Sequence, residues 1–258
     1  MTRNTLSSVL VACAAMFPFA SGAQAPALTG AAKWADSAAR EIDKASMTGD
    51  LARMQGARTL LDRAVIAFPN DPLLLHYQGF ELYREAGLLD GLRRSAEVSP
   101  LLEKARTALE KSNSLSPMPE THALLSSVLG RMIGADPQQG MTLGPLSGQE
   151  MEAAVGTGPS NPRVWLLRGI GSLYTPPGYG GGVSIAEGQL GKAIEFFAND
   201  HPVAPAPSWG RAEAYAWLGQ VLQKKNKPAE ATAAYEKALA LEPNYSWVKN
   251  VLLPSVKK

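Results

Sequence analysis

Three histidines, one cysteine and one glycine-rich run are the places where this chain could do chemistry. His76, His122 and His201 stand far apart, and none belongs to an HExxH or comparable ligand pair, so their spacing implies no metal site. Neither a G-x-S-x-G elbow nor a GK[ST] phosphate loop occurs. Gly178-Tyr179-Gly180-Gly181-Gly182 has the composition of a phosphate cradle. No strand pattern precedes it, however, and its spacing fits no dinucleotide fingerprint. It reads as a turn reversing the chain between two helices, with Tyr179 as a candidate contact for a partner. No clustered acid, base, nucleophile or ligand set emerges. The expectation is a non-catalytic protein without a cofactor.

The cysteine belongs to a separate question. Residues 1–23 begin with Arg3, run apolar from about Leu6 to Ala20 and end in small residues, the layout of a secretory leader. The apolar stretch is too short for a membrane span, and Pro18 interrupts it. Cleavage after Ala23 satisfies the small-x-small rule and avoids placing Pro26 next to the scissile bond. Leu10-Val11-Ala12-Cys13 also resembles a lipobox, which would make Cys13 a lipid anchor. If the leader is removed, the mature chain has no cysteine, and disulfides and thiolate sites disappear together. The expected product is periplasmic or secreted, with a flexible segment at 24–30 and a helical domain over 31–258.

The composition is that of a globular protein: 258 residues, 45% hydrophobic, 25 basic and 23 acidic side chains. A formal charge of +2 provides no electrostatic footprint for nucleic acid. The elements that must position any site are helices. In the segment 212–245, Tyr215, Leu218, Gly219 and Leu222 share one helical face; after Asn226-Lys227-Pro228, Ala231, Tyr235 and Ala238 share another, with Pro243 closing the unit. The second-helix spacing recurs at Ala57-Leu61-Ala64-Pro69, Ala105-Leu109-Ser112-Pro117 and Ser147-Met151-Ala154-Pro159. It recurs again at Ala186-Leu190-Ala193, with Ala198 in place of the proline. First helices answer with Gly79, Gly169 and Gly219 at one offset. A glycine inside a helix costs about 1 kcal/mol against alanine, so close approach of the paired helix, at Leu61, Leu109 or Tyr235, must offset it. Asp71-Pro72, Asn161-Pro162 and Ser99-Pro100 read as helix starts. Long turns are expected inside the second, third and fourth pairs, at about Gly87 to Ser99, Ala135 to Leu146 and Thr175 to Val183. Tyr245 to Val256 reads as a capping helix.

This pattern resembles the tetratricopeptide repeat (TPR). The resemblance implies an all-α, right-handed α-solenoid of about five helix pairs with a C-terminal capping helix. It also implies a concave groove, lined by the first helices, that binds peptides or protein segments. The glycine-rich loop, with Trp209-Gly210, is similar to loops of exported bacterial members of the family. Helical geometry then selects groove candidates opposite the buried small residues. They are His76, Phe80, Tyr83 and Arg84 in the second unit, and Leu124, Val128 and Arg131 in the third. The fourth supplies Arg163, Leu166, Ile170 and Tyr174, and the fifth Gln220 and Lys224. Two alternatives stay open: Phe80, Leu166 and Ile170 could pack against the next repeat, and Tyr83, Arg84 and Arg131 could form an ordinary solvated face. The lysine and asparagine clamp of carboxylate-binding members is not matched. The implied role is an interaction scaffold or assembly factor of the cell envelope with a protein or peptide partner. The rival role is a structural subunit held through the convex face or end cap.

Overall fold

Small residues at helical spacing, interrupted by Asp-Pro, Asn-Pro and Lys-Pro steps, produce helices that pair two by two. The computed structural model describes Met1 and residues 28–256. The leader over 1–23, its cleavage after Ala23, Cys13, most of the segment 24–30 and the final two lysines lie outside the described residues. The pairs are α1 (Gly30–Thr48) with α2 (Leu51–Ala67), α3 (Pro72–Gly91) with α4 (Val98–Leu115), and α5 (Pro119–Ala135) with α6 (Gly140–Thr157). They continue with α7 (Pro162–Tyr174) against α8 (Val183–Phe197) and α9 (Arg211–Lys224) against α10 (Pro228–Leu241). A π-helical turn (Val248–Leu252) and a short α11 (Leu253–Val256) follow, burying Tyr245, Val248 and Leu252 over the last pair. The result is an all-α solenoid of helix pairs.

Each of three pairs closes on a small residue facing a large one. A Cβ on Gly79 would overlap the side chain of Leu109, and one on Gly219 would overlap the ring of Tyr235. At Gly169 it would lie 2.8 Å from Cγ of Leu190. These helices therefore approach more closely than any side chain at those three positions would allow. Asp71 and Asn161 cap α3 and α7 by accepting from the backbone N–H of Leu74 and Arg163, at 2.9 and 3.0 Å.

Several boundaries differ from those read in the sequence. Helix α4 begins at Val98 behind a 3-10 turn (Ser95–Glu97), so Ser99 lies inside the helix and caps nothing. Helix α3 continues to Gly91, and α6 starts at Gly140, which shortens the second and third turns. Gly144-Pro145, within the turn expected at about Ala135 to Leu146, instead lies inside α6, where Pro145 has no N–H to give the Met141 carbonyl. The longest connection lies elsewhere, between the fourth and fifth pairs at 198–210.

The direction of curvature follows from which helices meet. Adjacent first helices (α1 with α3, α3 with α5, α5 with α7, α7 with α9) pack side by side, whereas among the described residues no second helix has comparable contact with the next second helix. The first helices therefore form the inner layer. Curvature proceeds until the first unit meets the last: Met47 of α1 is buried among Ala212, Tyr245 and Val248, and Gly49 lies against Ser246.

Candidate functional site: a concave face partly filled from within

The first helices bring the groove candidates to one concave side, but six of them are not available there. His76, Phe80, Leu124, Val128, Arg163 and Leu166 are buried. The expectation that these six line an open groove is corrected. Tight curvature turns part of the inner face into core, and the segment 198–210 covers more of it. Sequence reasoning had only Trp209-Gly210 as a signal for this segment. A run holding Pro202, Pro205 and Pro207 cannot continue either neighbouring helix, and it has no apolar period to reveal where it docks.

Three contacts tie the segment to the inner layer. The Arg163 guanidinium donates to both carboxylate oxygens of Asp200, at 2.8–3.1 Å. The Tyr77 hydroxyl donates to the carbonyl of Pro205 at 2.8 Å. The Trp209 indole stacks on Phe80 with centroids 4.7 Å apart, and the Arg84 guanidinium covers both rings at 5.3 and 4.8 Å. Gly210, at φ +107°, turns the chain into α9 with Leu166 2.8 Å from the position a Cβ would take. Arg84 then reaches across to Glu213 of α9 in a two-pronged pair at 2.5 and 2.6 Å. Beneath these contacts the Nδ1 of His76 meets the Thr121 hydroxyl at 2.9 Å. Burial, followed by the nearby Arg163 charge, lowers the His76 pKa to about 3, so the ring is neutral.

Where the array closes on itself, Asp43, Met47, Trp209, Glu213 and Glu242 surround a pocket of about 220 Å³. Burial, followed by the Glu213 charge, raises the pKa of Asp43 to about 6 against the pull of Arg84. Among the described residues, no group of three or more His, Cys, Asp or Glu side chains is placed to hold a metal ion. His122, which the sequence leaves beside a loop, lies in α5 within 2.6 Å of Glu150.

The remaining candidates stay nearer solvent, beyond the covered part of the inner layer. Arg131 lies over the Tyr83 ring at 5.2 Å while donating to the Tyr83 carbonyl and to Asp90. Tyr174, two-thirds exposed, meets Trp217 edge-on at 6.1 Å, and Trp217 continues to Trp247 at 5.1 Å. Ile170 and Gln220 are half-buried; Lys224 and Tyr179 are exposed. Trp217 and Trp247 escaped the sequence reading of the groove, although both fall on helices that it identified. Tyr83 with Arg131 and Tyr174 with Trp217 form an aromatic strip on first helices α3, α5, α7 and α9, which Trp247 extends from the C-terminal cap. Such aromatic and arginine side chains are the usual anchors of protein interfaces.

No curated protein matches the sequence. Among solved structures, the HusA haemophore from Porphyromonas gingivalis superposes with a TM-score of 0.60 at 22% identity, covering 76% of this chain and 96% of that one. A thermophilic TPR protein from Thermus thermophilus also reaches 0.60, at 19% identity, covering 86% of this chain and 98% of that one. These likenesses concern the fold. The tetratricopeptide-repeat model matches residues 212–245, the α9–α10 pair whose packing the other four repeat. The chain carries a tetratricopeptide repeat over residues 212–245, within a fold shared with a solved tetratricopeptide-repeat protein.

Proposed function

We propose that this protein is an exported, non-catalytic binding or assembly factor of the bacterial cell envelope, taking a peptide or protein segment on its concave face. A stack of tetratricopeptide pairs is in general a protein-interaction scaffold. The observation that carries the finer reading is the aromatic strip. Tyr174, with its Trp217 and Trp247 neighbours, leaves rigid apolar surface on the inner layer, beside the polar Arg131, Gln220 and Lys224. Rings of this kind contribute contact area at small conformational cost. Export rests on the leader-like layout of residues 1–23.

A crosslinked pull-down of the mature chain from its native envelope tests this reading, run beside a folded Tyr174→Ser, Trp217→Ser variant. A partner captured by the wild type and lost by the variant supports contact through the strip. A partner held equally by both places the interface on the convex face, the end cap or the loops, and replaces the groove reading with a structural-subunit role. Mass spectrometry of the mature N-terminus tests export: a start at Gln24 supports cleavage, an acylated Cys13 makes the protein a lipoprotein, and an intact Met1 overturns export.

A further inference from the structure

The connection from α8 to α9 lies where a bound peptide would lie. The other links between successive pairs, at 68–71, 116–118 and 158–161, are short turns. This one spans 198–210, carries no regular helix, and reaches α9 by way of the inner layer. It is held at three separated points by side chains of first helices: Asp200 by Arg163 of α7, the Pro205 carbonyl by Tyr77 of α3, and Trp209 by Phe80 and Arg84 of α3. A carboxylate on a guanidinium, a backbone carbonyl on a tyrosine hydroxyl beside prolines, and an aromatic ring in an aromatic slot are the contacts by which grooves read extended segments.

The docking is also shallow between those points. His201, Val203, Ala204, Ala206 and Ser208 are all exposed, Val203 with 76% of its surface, whereas Pro207 and Trp209 are buried. The buried indole N–H of Trp209 has no acceptor among the described residues, so the docked form leaves one donor unsatisfied. A strap with few buried contacts and few backbone hydrogen bonds opens more readily than the helices beneath it.

We propose that residues 198–210 are a tethered occupant of a peptide-binding groove. The external partner is an extended, proline-containing segment that repeats their three features: a carboxylate, a carbonyl beside proline five residues on, and an aromatic ring four residues after that. This rests on the binding-protein reading above and names the chemistry of the segment bound. Because the strap is tethered, it competes at an effective concentration of roughly millimolar order, so a single weak peptide does not displace it.

The test replaces residues 199–209 by a Gly/Ser linker of equal length and titrates a labelled synthetic peptide of sequence 198–210 by fluorescence anisotropy. The cooperatively folded linker variant is expected to bind this peptide saturably and at least tenfold more tightly than the wild type does. Peptides carrying Asp200→Asn or Trp209→Ala are expected to bind at least tenfold more weakly. A folded linker variant that ignores the peptide, or binds a scrambled one equally well, overturns the proposal. If the linker variant does not fold, hydrogen exchange on the wild type decides. Amides in 199–209 that exchange orders of magnitude faster than those of α3 and α7 support a removable strap; exchange only through global unfolding makes it permanent core and overturns the idea. A negative result here beside a strip-dependent pull-down leaves the binding function intact and removes only the strap's role.

Discussion

Arg84 and Glu213 form a two-pronged ion pair at 2.5 and 2.6 Å although 129 residues separate them in sequence. The pair joins α3 of the second unit to α9 of the fifth, so it exists only because the array curves strongly enough to bring those units face to face. Glu213 is almost wholly buried, and Arg84 is sandwiched against Phe80 and Trp209. Losing either partner strands the other charge.

Glu213→Ala is therefore expected to cost about 3–5 kcal/mol, since an uncompensated buried charge is worse than no charge at all. The double change Arg84→Met, Glu213→Leu should recover most of that loss. Urea denaturation of the two variants measures both, and equal instability of single and double variants would show that shape, not charge, holds the seam.

Glycine contacts predict opposite signs for the same substitution. Gly79→Ala and Gly219→Ala press a methyl group into Leu109 and Tyr235, and a loss of about 1–3 kcal/mol is expected despite the better helix propensity. Gly130→Ala and Gly188→Ala meet open space within α5 and α8, and a gain of about 0.5–1 kcal/mol is expected. Thermal melting of the four variants is enough to check the signs.

His76 gives the stability a pH dependence that can be isolated by difference. Its folded pKa is near 3, against 6.5 for the free side chain, so below about pH 6.5 the unfolded chain takes up a proton that the folded chain refuses. The stability of the wild type relative to His76→Gln should then fall by about 1.4 kcal/mol per pH unit from about pH 6 down toward pH 4. Asp43 and Glu81, raised by burial to about 6 and 8, act in the opposite sense, losing stability as pH rises, and they cancel in the comparison. A pH-independent difference would mean that His76 is hydrated.

Truncation after Asn244 removes Tyr245, Val248 and Leu252, three buried side chains that cover the last pair and share a cluster with Met47 of the first. At roughly 1.5–3 kcal/mol for each apolar side chain re-exposed, a loss of several kcal/mol is expected. Hydrogen exchange should also quicken at the end of α1, far away in sequence. Faster exchange confined to α10 would show that the two ends of the array are not coupled.

The helix pairs were legible because their cause is local. Gly79, Gly169 and Gly219 recur at one offset, and Leu109, Leu190 and Tyr235 recur at another, since every pair solves the same close-approach problem between neighbours in the chain. The caps at Asp71 and Asn161 are local in the same way. What the sequence determined by itself is therefore the repeat and the inward face of each first helix. It placed Tyr174 and Arg131 on that face but could not separate them from Phe80, Leu166 and Arg163, because solvent access depends on how far the stack curves. Small angular increments between pairs add up, and only their sum brings Arg84 to Glu213, Met47 to Tyr245 and Tyr77 to Pro205, 128 residues away. The strap 198–210 has no period to betray its position. Its place on the inner layer was decided by tertiary structure alone, where Arg163, Tyr77 and Phe80 converge on it from two different repeats.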